Sequence, residues 1–514
     1  MNVNRGQWSP RFRVLVILVM VGVVVAITSA STLLIAELTP RWSAASVLSA
    51  VVCGLLAVIS GICVNVLPWA IRMVWTKPEQ LGDFVDLVAK LGRALRRPLK
   101  QAGIVLVVAA IVAAGVFVRP PATELEPGPL VVMTAFGESK NDPRSILLDL
   151  WNQSHPANQA EFDYVSGEPS KQNERMGNDA KQDGEHHADA YALDIPWLPQ
   201  FAMAGHIRPL DRTDLPDSAL GDFIPKVLAT GKFDDKLWGL PLNSDVGMIY
   251  CRTDLPGVAK PKTWDDYFGA AAKQLAVALK TSGPGVEAAN AAQLADEMLN
   301  ATAVEAMWAA GGEVVSRTGR VVLTADESEV AFEPEDRKGI EDLARAVKDA
   351  DIVLAGADSM TEASAITAFK SGKTAYMRNW PVSADDLEGK VEFTPSAPPT
   401  PSILGGQTLA VSKWTTRPRA TQALIEFMTS SSSELILSEV GGFVPTRNSA
   451  FDSSKRLDKQ ELRKALEDAR LRPVTPYYPK VSRVFHDGIA RALNNGGKLE
   501  EDFPRELATA LKGG

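Results

Sequence analysis

Three long apolar runs in the first 118 residues constrain this chain more than any other feature. Val14–Ala36 carries no charged residue and follows Arg11 and Arg13. A helix needs about 20 apolar residues to cross a bilayer, whereas a cleaved signal peptide has an apolar core of about 7–15. Val14–Ala36 is therefore read as a span. Ala44–Ala70 is read as a second, with Gly54, Gly61 and Asn65 inside it, and Ala102–Val118 as a shorter third. The loop between the second and third spans, 71–101, holds Arg72, Lys77, Lys90, Arg93, Arg96, Arg97 and Lys100, while Thr39–Ser43 holds only Arg41. Positive charge stays on the cytoplasmic side. The N-terminus and loop 71–101 are thus expected inside, and everything after Arg119 outside. Leu81, Phe84, Val85, Val88, Leu91 and Leu95 recur at helical spacing in that loop. They suit a helix packed back on the spans, or one lying on the membrane surface or a partner.

Residues 119–129, rich in proline and acid, read as a semi-rigid linker. The remainder, 130–514, is polar and mixed. It is too long for one core and is expected to form two lobes. Leu130–Ala135 reads as a buried strand and Pro143–Ser154 as an amphipathic helix. Strand Ala190–Ile195, helix Trp197–Ala204, strand Val246–Tyr250 and helix Ala291–Ala310 continue the alternation. That pattern implies an α/β fold with largely parallel sheets.

Composition and motifs exclude several functions. A net charge of -8 gives no footprint for nucleic acid. Of three cysteines, Cys53 and Cys63 fall in an apolar run and Cys251 stands alone, so neither a disulfide framework nor a Cys zinc site is supported. Glu185-His186-His187, with Asp189 beyond, reads as a solvated polar loop rather than a metal site. The sequence contains no Walker loop, no GxGxxG, no GxSxG elbow and no HExxH. The expectation is a chain with no catalytic residue, cofactor or metal.

An ordered series of short motifs carries the functional reading. HADAYALDIPW (187–197) leads into FAMAG (201–205) and PLD (209–211). LWGLPLNSDVGMIY (237–250), PKTW (261–264) and WAAGG (308–312) follow. The series continues with FKSGKTAYMRNWP (369–381), LGGQTLAVS (404–412), GGFVPTR (441–447) and RPVTPYYP (472–479). It resembles the extracellular solute-binding proteins of bacterial ABC importers, of the maltose-binding-protein type. NWP and RPVTPYY are most similar to the trehalose- and maltose-binding members. The resemblance spans about 130–510.

That resemblance implies a type II periplasmic-binding-protein fold, with two α/β lobes hinged about a cleft. Lobe one would take about 130–242 and 404–450, and lobe two about 243–403 and 451–514. It also implies a carbohydrate ligand, ABC permease subunits or another membrane protein as partner, and contact with the bilayer. The matching positions are Glu138, Asp194, Trp197, Asn243, Asp245, Trp380, Gly405, Gly406, Arg472 and Tyr478. Their chemistry suits a sugar: aromatic rings stack on C–H patches, and carboxylates, amides and guanidinium groups bond hydroxyls in pairs. Trp380 is the candidate stacking platform, a core tryptophan being the alternative. Trp238, Trp264 and Trp308 are expected to be structural. Tyr250-Cys251 stands where the family often has Tyr-Tyr. Met377, where trehalose-type members can offer a carboxylate, puts trehalose itself in question. The three spans also depart from the family pattern and leave two roles open, an importer subunit or a sensor signalling through loop 71–101.

Overall fold

The computed structural model describes residues 125–135, 142–165, 169–181, 187–213, 215–282, 285–456 and 458–514. The three expected spans, loop 71–101, the first part of the linker and Glu138 lie outside the described residues. Among those described, no helix is long and apolar enough to cross a membrane.

Among the described residues, twelve strands form two main sheets and a hairpin. They are β1 Leu130–Ala135, β2 Ala160–Val165, β3 Ala190–Asp194, β4 Ile207–Arg208, β5 Lys232–Phe233, β6 Lys236–Leu237, β7 Gly239–Val246, β8 Met248–Arg252, β9 Ala288–Ala291, β10 Thr374–Asn379, β11 Phe393–Ser396 and β12 Leu404–Ser412. The first sheet runs β2-β1-β3-β12-β4, with β7 also paired to β12. The second runs β11-β8-β10-β9, and β5 pairs with β6. Alternation along β1 and β3 explains why both faces of the first sheet are covered. Leu130, Val132, Ala190 and Ala192 face Leu147, Trp151 and Leu424, whereas Met133, Tyr191 and Leu193 face Phe201 and Trp197. Strands buried on both faces lose the apolar–polar alternation and read as apolar runs.

Parallel pairing is less general than the alternation of elements suggests. β1 is parallel to β2 and β3, and β10 to β9. β12, however, is antiparallel to β3, β4 and β7, and β8 is antiparallel to β10 and β11. β8 and β12 each follow a crossing from the other sheet rather than a helical crossover, and only such a crossover enforces parallel pairing. The expected helix Ala291–Ala310 also begins later. Its first residue, Ala291, instead ends β9, which pairs with Thr374–Met377, and the helix spans Glu297–Ala309. Sheet pairing overrides helix propensity here. The expected linker is shorter too. Leu125 packs on the first core, Glu126 pairs with Arg419 at 3.0 Å, and the Gly128 amide donates to Ala157 O at 2.8 Å.

The segments crossing between the sheets are tied together. The Gly247 amide donates to Ser402 Oγ at 3.0 Å, and Ser402 Oγ donates to Glu305 Oε1 at 2.6 Å. Arg378 Nη2 and the Ile403 amide reach the same Glu305 oxygen at 2.9 and 3.1 Å. A Cβ on Gly247 would lie 2.3 Å from Ser402 Oγ and 2.5 Å from Arg378 Nη2, so a side chain there would displace the groups that tie this crossing.

Candidate functional site

Asp194 ends β3, and Pro196 turns the chain into a 3-10 turn, Ile195–Trp197, and then the helix Leu198–Met203. The ends of three adjacent strands place polar residues side by side, with Asp194 opposite Gln407 and Gln407 opposite Asn243. Arg472 reaches Asp194 from the other side, with Nη2 2.7 Å from Oδ1, and its Nη1 lies 3.5 Å from Glu297 Oε1. Glu297 also accepts from the hydroxyls of Tyr478 and Ser482. Burial opposes the Arg472 charge, but Asp194, Tyr478 and Glu297 outweigh it and raise the guanidinium pKa. Burial lifts the pKa of Asp194, and the Arg472 charge limits that rise.

Beside this cluster lies a cavity of about 620 Å³. Asn173 and Gln200 line one side, Glu297 and Ser482 the other, with Asp194 and Tyr478 between them. That volume suits a small ligand. Trp197 contributes to the lining but is only 4% exposed, being packed among Met133, Leu193 and Phe201. Tyr478, also 4% exposed, is held by its hydroxyl.

Asn243, Asp245, Trp380 and Gly405 form a neighbouring group that does not line that cavity. Asn243 Nδ2 donates to Asp245 Oδ2 at 2.9 Å. Burial, with the nearby Asp194 charge adding to it, pushes the Asp245 carboxyl up to about 7. Trp380 is half-buried. Its amide bonds Asn379 Oδ1 at 2.8 Å, its carbonyl accepts from Tyr250 Oη at 2.8 Å, and Nε1 lies 3.4 Å from Glu362 Oε1. Gly405 sits opposite Asp245, where an added Cβ would be 3.4 Å from Trp380 Cζ3. Gly406 has φ +118°, and a Cβ there would fall 2.3 Å from the Asn243 carbonyl oxygen, so the sheet itself demands glycine.

The structure thus gathers Asp194, Tyr478 and the edge of Trp197 at one cavity, with Arg472 behind Asp194 and the remaining described candidates beside it. Sequence reading missed Glu297, Ser482, Asn300 and Gln407. Glu297 and Asn300 sit in a helix whose start was misplaced, and Ser482 lies just past the RPVTPYYP stretch. Trp308 and Trp238 donate their indole N–H to the Val315 and Phe233 carbonyls.

The family description of bacterial extracellular solute-binding proteins matches residues 158–465. The chain belongs to that family. This solute-binding protein is accordingly a binder rather than an enzyme, and its binding domain works outside the cytoplasm. It is 23% identical over 332 residues to a probable ABC transporter-binding protein of Deinococcus radiodurans, covering 61% of this chain and 72% of that one. Among solved structures it resembles maltose-bound MalE3 of T. maritima, with TM-score 0.62, 23% identity and coverage of 75% of this chain and 99% of that one. The Thermus thermophilus maltotriose binding protein, bound with maltotriose, gives TM-score 0.61 and 17% identity over 74% of this chain and 99% of that one. These likenesses establish the two-lobed α/β fold of the maltose-binding type for the solute-binding protein.

Proposed function

We propose that this solute-binding protein captures a carbohydrate, of disaccharide size such as maltose or trehalose, between its lobes and passes it to ABC permease subunits. One observation carries the reading: Asp194, paired with the Arg472 guanidinium, lines a cavity at the strand ends, in the neighbourhood of the half-buried ring of Trp380. Paired charged groups bond vicinal hydroxyls, and a ring covers the apolar face of a pyranose. The maltose and maltotriose carried by the similar structures support that ligand class, and the Deinococcus relative's description supports ABC import. Glu138, Asn243, Asp245, Gly405, Gly406, Trp197 and Tyr478 complete the proposed ligand set.

The same proposal anchors the protein by spans at 14–36, 44–70 and 102–118, with the lobes extracytoplasmic. Tethering keeps the receptor near its permease and raises its effective concentration there. The alternative role, a membrane sensor, is favoured only by the basic, amphipathic loop 71–101, which a simple importer subunit does not need.

The test is ligand-dependent melting with maltose and trehalose. Ligand at 100 times its Kd adds about 2.7 kcal/mol to folding, a readable shift. No shift with either sugar or longer α-glucans overturns the carbohydrate reading. Exposure of loop 71–101 rather than residues 119–129 to protease on intact cells overturns the topology.

A further inference from the structure

We propose that Glu297 is a positioning residue: it anchors Arg472 on the second lobe and sets the guanidinium against Asp194, whose carboxylate lines the cavity. This rests on the cleft being the carbohydrate site. Glu297 faces four donors, namely Arg472 Nη1 at 3.5 Å, Asn300 Nδ2 at 3.4 Å and the hydroxyls of Tyr478 and Ser482. Asn300 Nδ2 also holds Ser482, at 2.9 Å to Oγ and 3.0 Å to the carbonyl. A carboxylate offers about four lone-pair sites, so Glu297 is occupied by its own surroundings and has little left for a sugar hydroxyl. Its influence on a ligand passes through what it holds.

What it holds is the bridge between the two halves of the cleft. Arg472 Nη2 is taken by Asp194 and Nη1 by Glu297, while Nε has no protein partner. Between two carboxylates a planar fork has a fixed plane and a fixed reach. With one carboxylate removed it would fold wholly onto the other. Tyr478 is set by the same acid, and the Arg472 guanidinium carbon lies 5.9 Å from its ring centroid. The local backbone serves this placement. Asp296, with φ 47° and ψ −132°, bends the chain sharply so that Glu297 opens the helix Glu297–Ala309 facing Tyr478 and Ser482. The positive end of that helix favours the carboxylate there.

The experiment uses the full-length chain with maltose and trehalose as probes, measured by calorimetry and by melting. Glu297→Gln keeps the shape and removes the charge; Arg472→Lys keeps the charge and removes the fork. Each is expected to weaken binding of the sugar the parent takes by at least tenfold. The double variant is expected to be no weaker than the worse single, because both act through one group. Losses that multiply, or a Glu297→Gln protein binding within threefold of the parent, overturn the proposal. If the parent binds neither sugar, the carbohydrate reading fails by itself. The unliganded melts then decide: non-additive shifts of the two substitutions uphold the Glu297–Arg472 coupling, and additive shifts overturn it.

Discussion

Arg378 lies against one face of Trp380, its guanidinium carbon 4.2 Å from the ring centroid, while its Nη2 is held 2.9 Å from Glu305 Oε1. The ring is therefore fixed from beneath by a cation that is itself fixed at the lobe crossing. Trp380→Ala is expected to abolish the sugar-induced melting shift. It should lower unliganded stability by only about 2 kcal/mol, for a half-buried ring and one cation contact. A loss of about 3–5 kcal/mol in denaturant titration, the cost of truncating a core aromatic, would instead mark Trp380 as core.

The two glycines of β12 should part company. Gly406→Ala forces a side chain into φ +118° and against the Asn243 carbonyl oxygen, and is expected to cost about 3 kcal/mol. Gly405→Ala meets Asp245 Cβ at 3.3 Å and Trp380 Cζ3 at 3.4 Å, so about 1 kcal/mol or less is expected. Equal costs in paired urea titrations would contradict this account of the sheet.

Stability should fall as pH rises from about 4 through 7. Asp245 and Glu434 are both pushed up to about 7, chiefly by burial, from ordinary values of 3.8 and 4.5. Within that window the folded form keeps protons the unfolded chain has released, so deprotonation drains native stability. The contribution is whole below the unfolded values and lost once pH passes the folded ones. Asp245→Asn is expected to flatten its part of the slope in melts taken from pH 4 to 8. An unchanged slope would show that Asp245 titrates normally.

Asp296→Gly should stabilise the protein. Its φ of 47° with ψ −132° suits glycine and costs another residue about 1–3 kcal/mol, whereas the added flexibility of glycine costs about 0.5–1 kcal/mol. A net gain of roughly 1 kcal/mol in chemical denaturation is the expected outcome. A loss would mean that the Asp296 side chain makes a contact worth more than the strain.

The motif order was readable because each motif marks a strand end or a crossing, where backbone geometry restricts the residue. Gly406 and Pro196 are of that kind, and Asp194 and Asn243 follow as the residues those turns leave at the sheet edge. Glu297 was not readable: nothing in ADEML distinguishes a carboxylate with four donors from a solvated one. Its partners come from residues far along the chain, and only the packed helices bring Ser482 and Tyr478 to it. Sheet direction was hidden for a related reason, since a strand returning from the other lobe carries the same apolar pattern whichever way it runs. β9 was hidden because AANA has the composition of a helix and becomes a strand only beside β10.

The place of β12 sets the order in which the chain can be completed. It lies between β3 and β7, yet it leaves the ribosome roughly 200 residues after β3, with the whole second sheet made in between. Until residues 404–412 emerge, β3 has an open edge and the crossing at Gly247 lacks Ser402. The first lobe must wait as an incomplete sheet while the second is synthesised, so final assembly is late and depends on long-range pairing, which is slow.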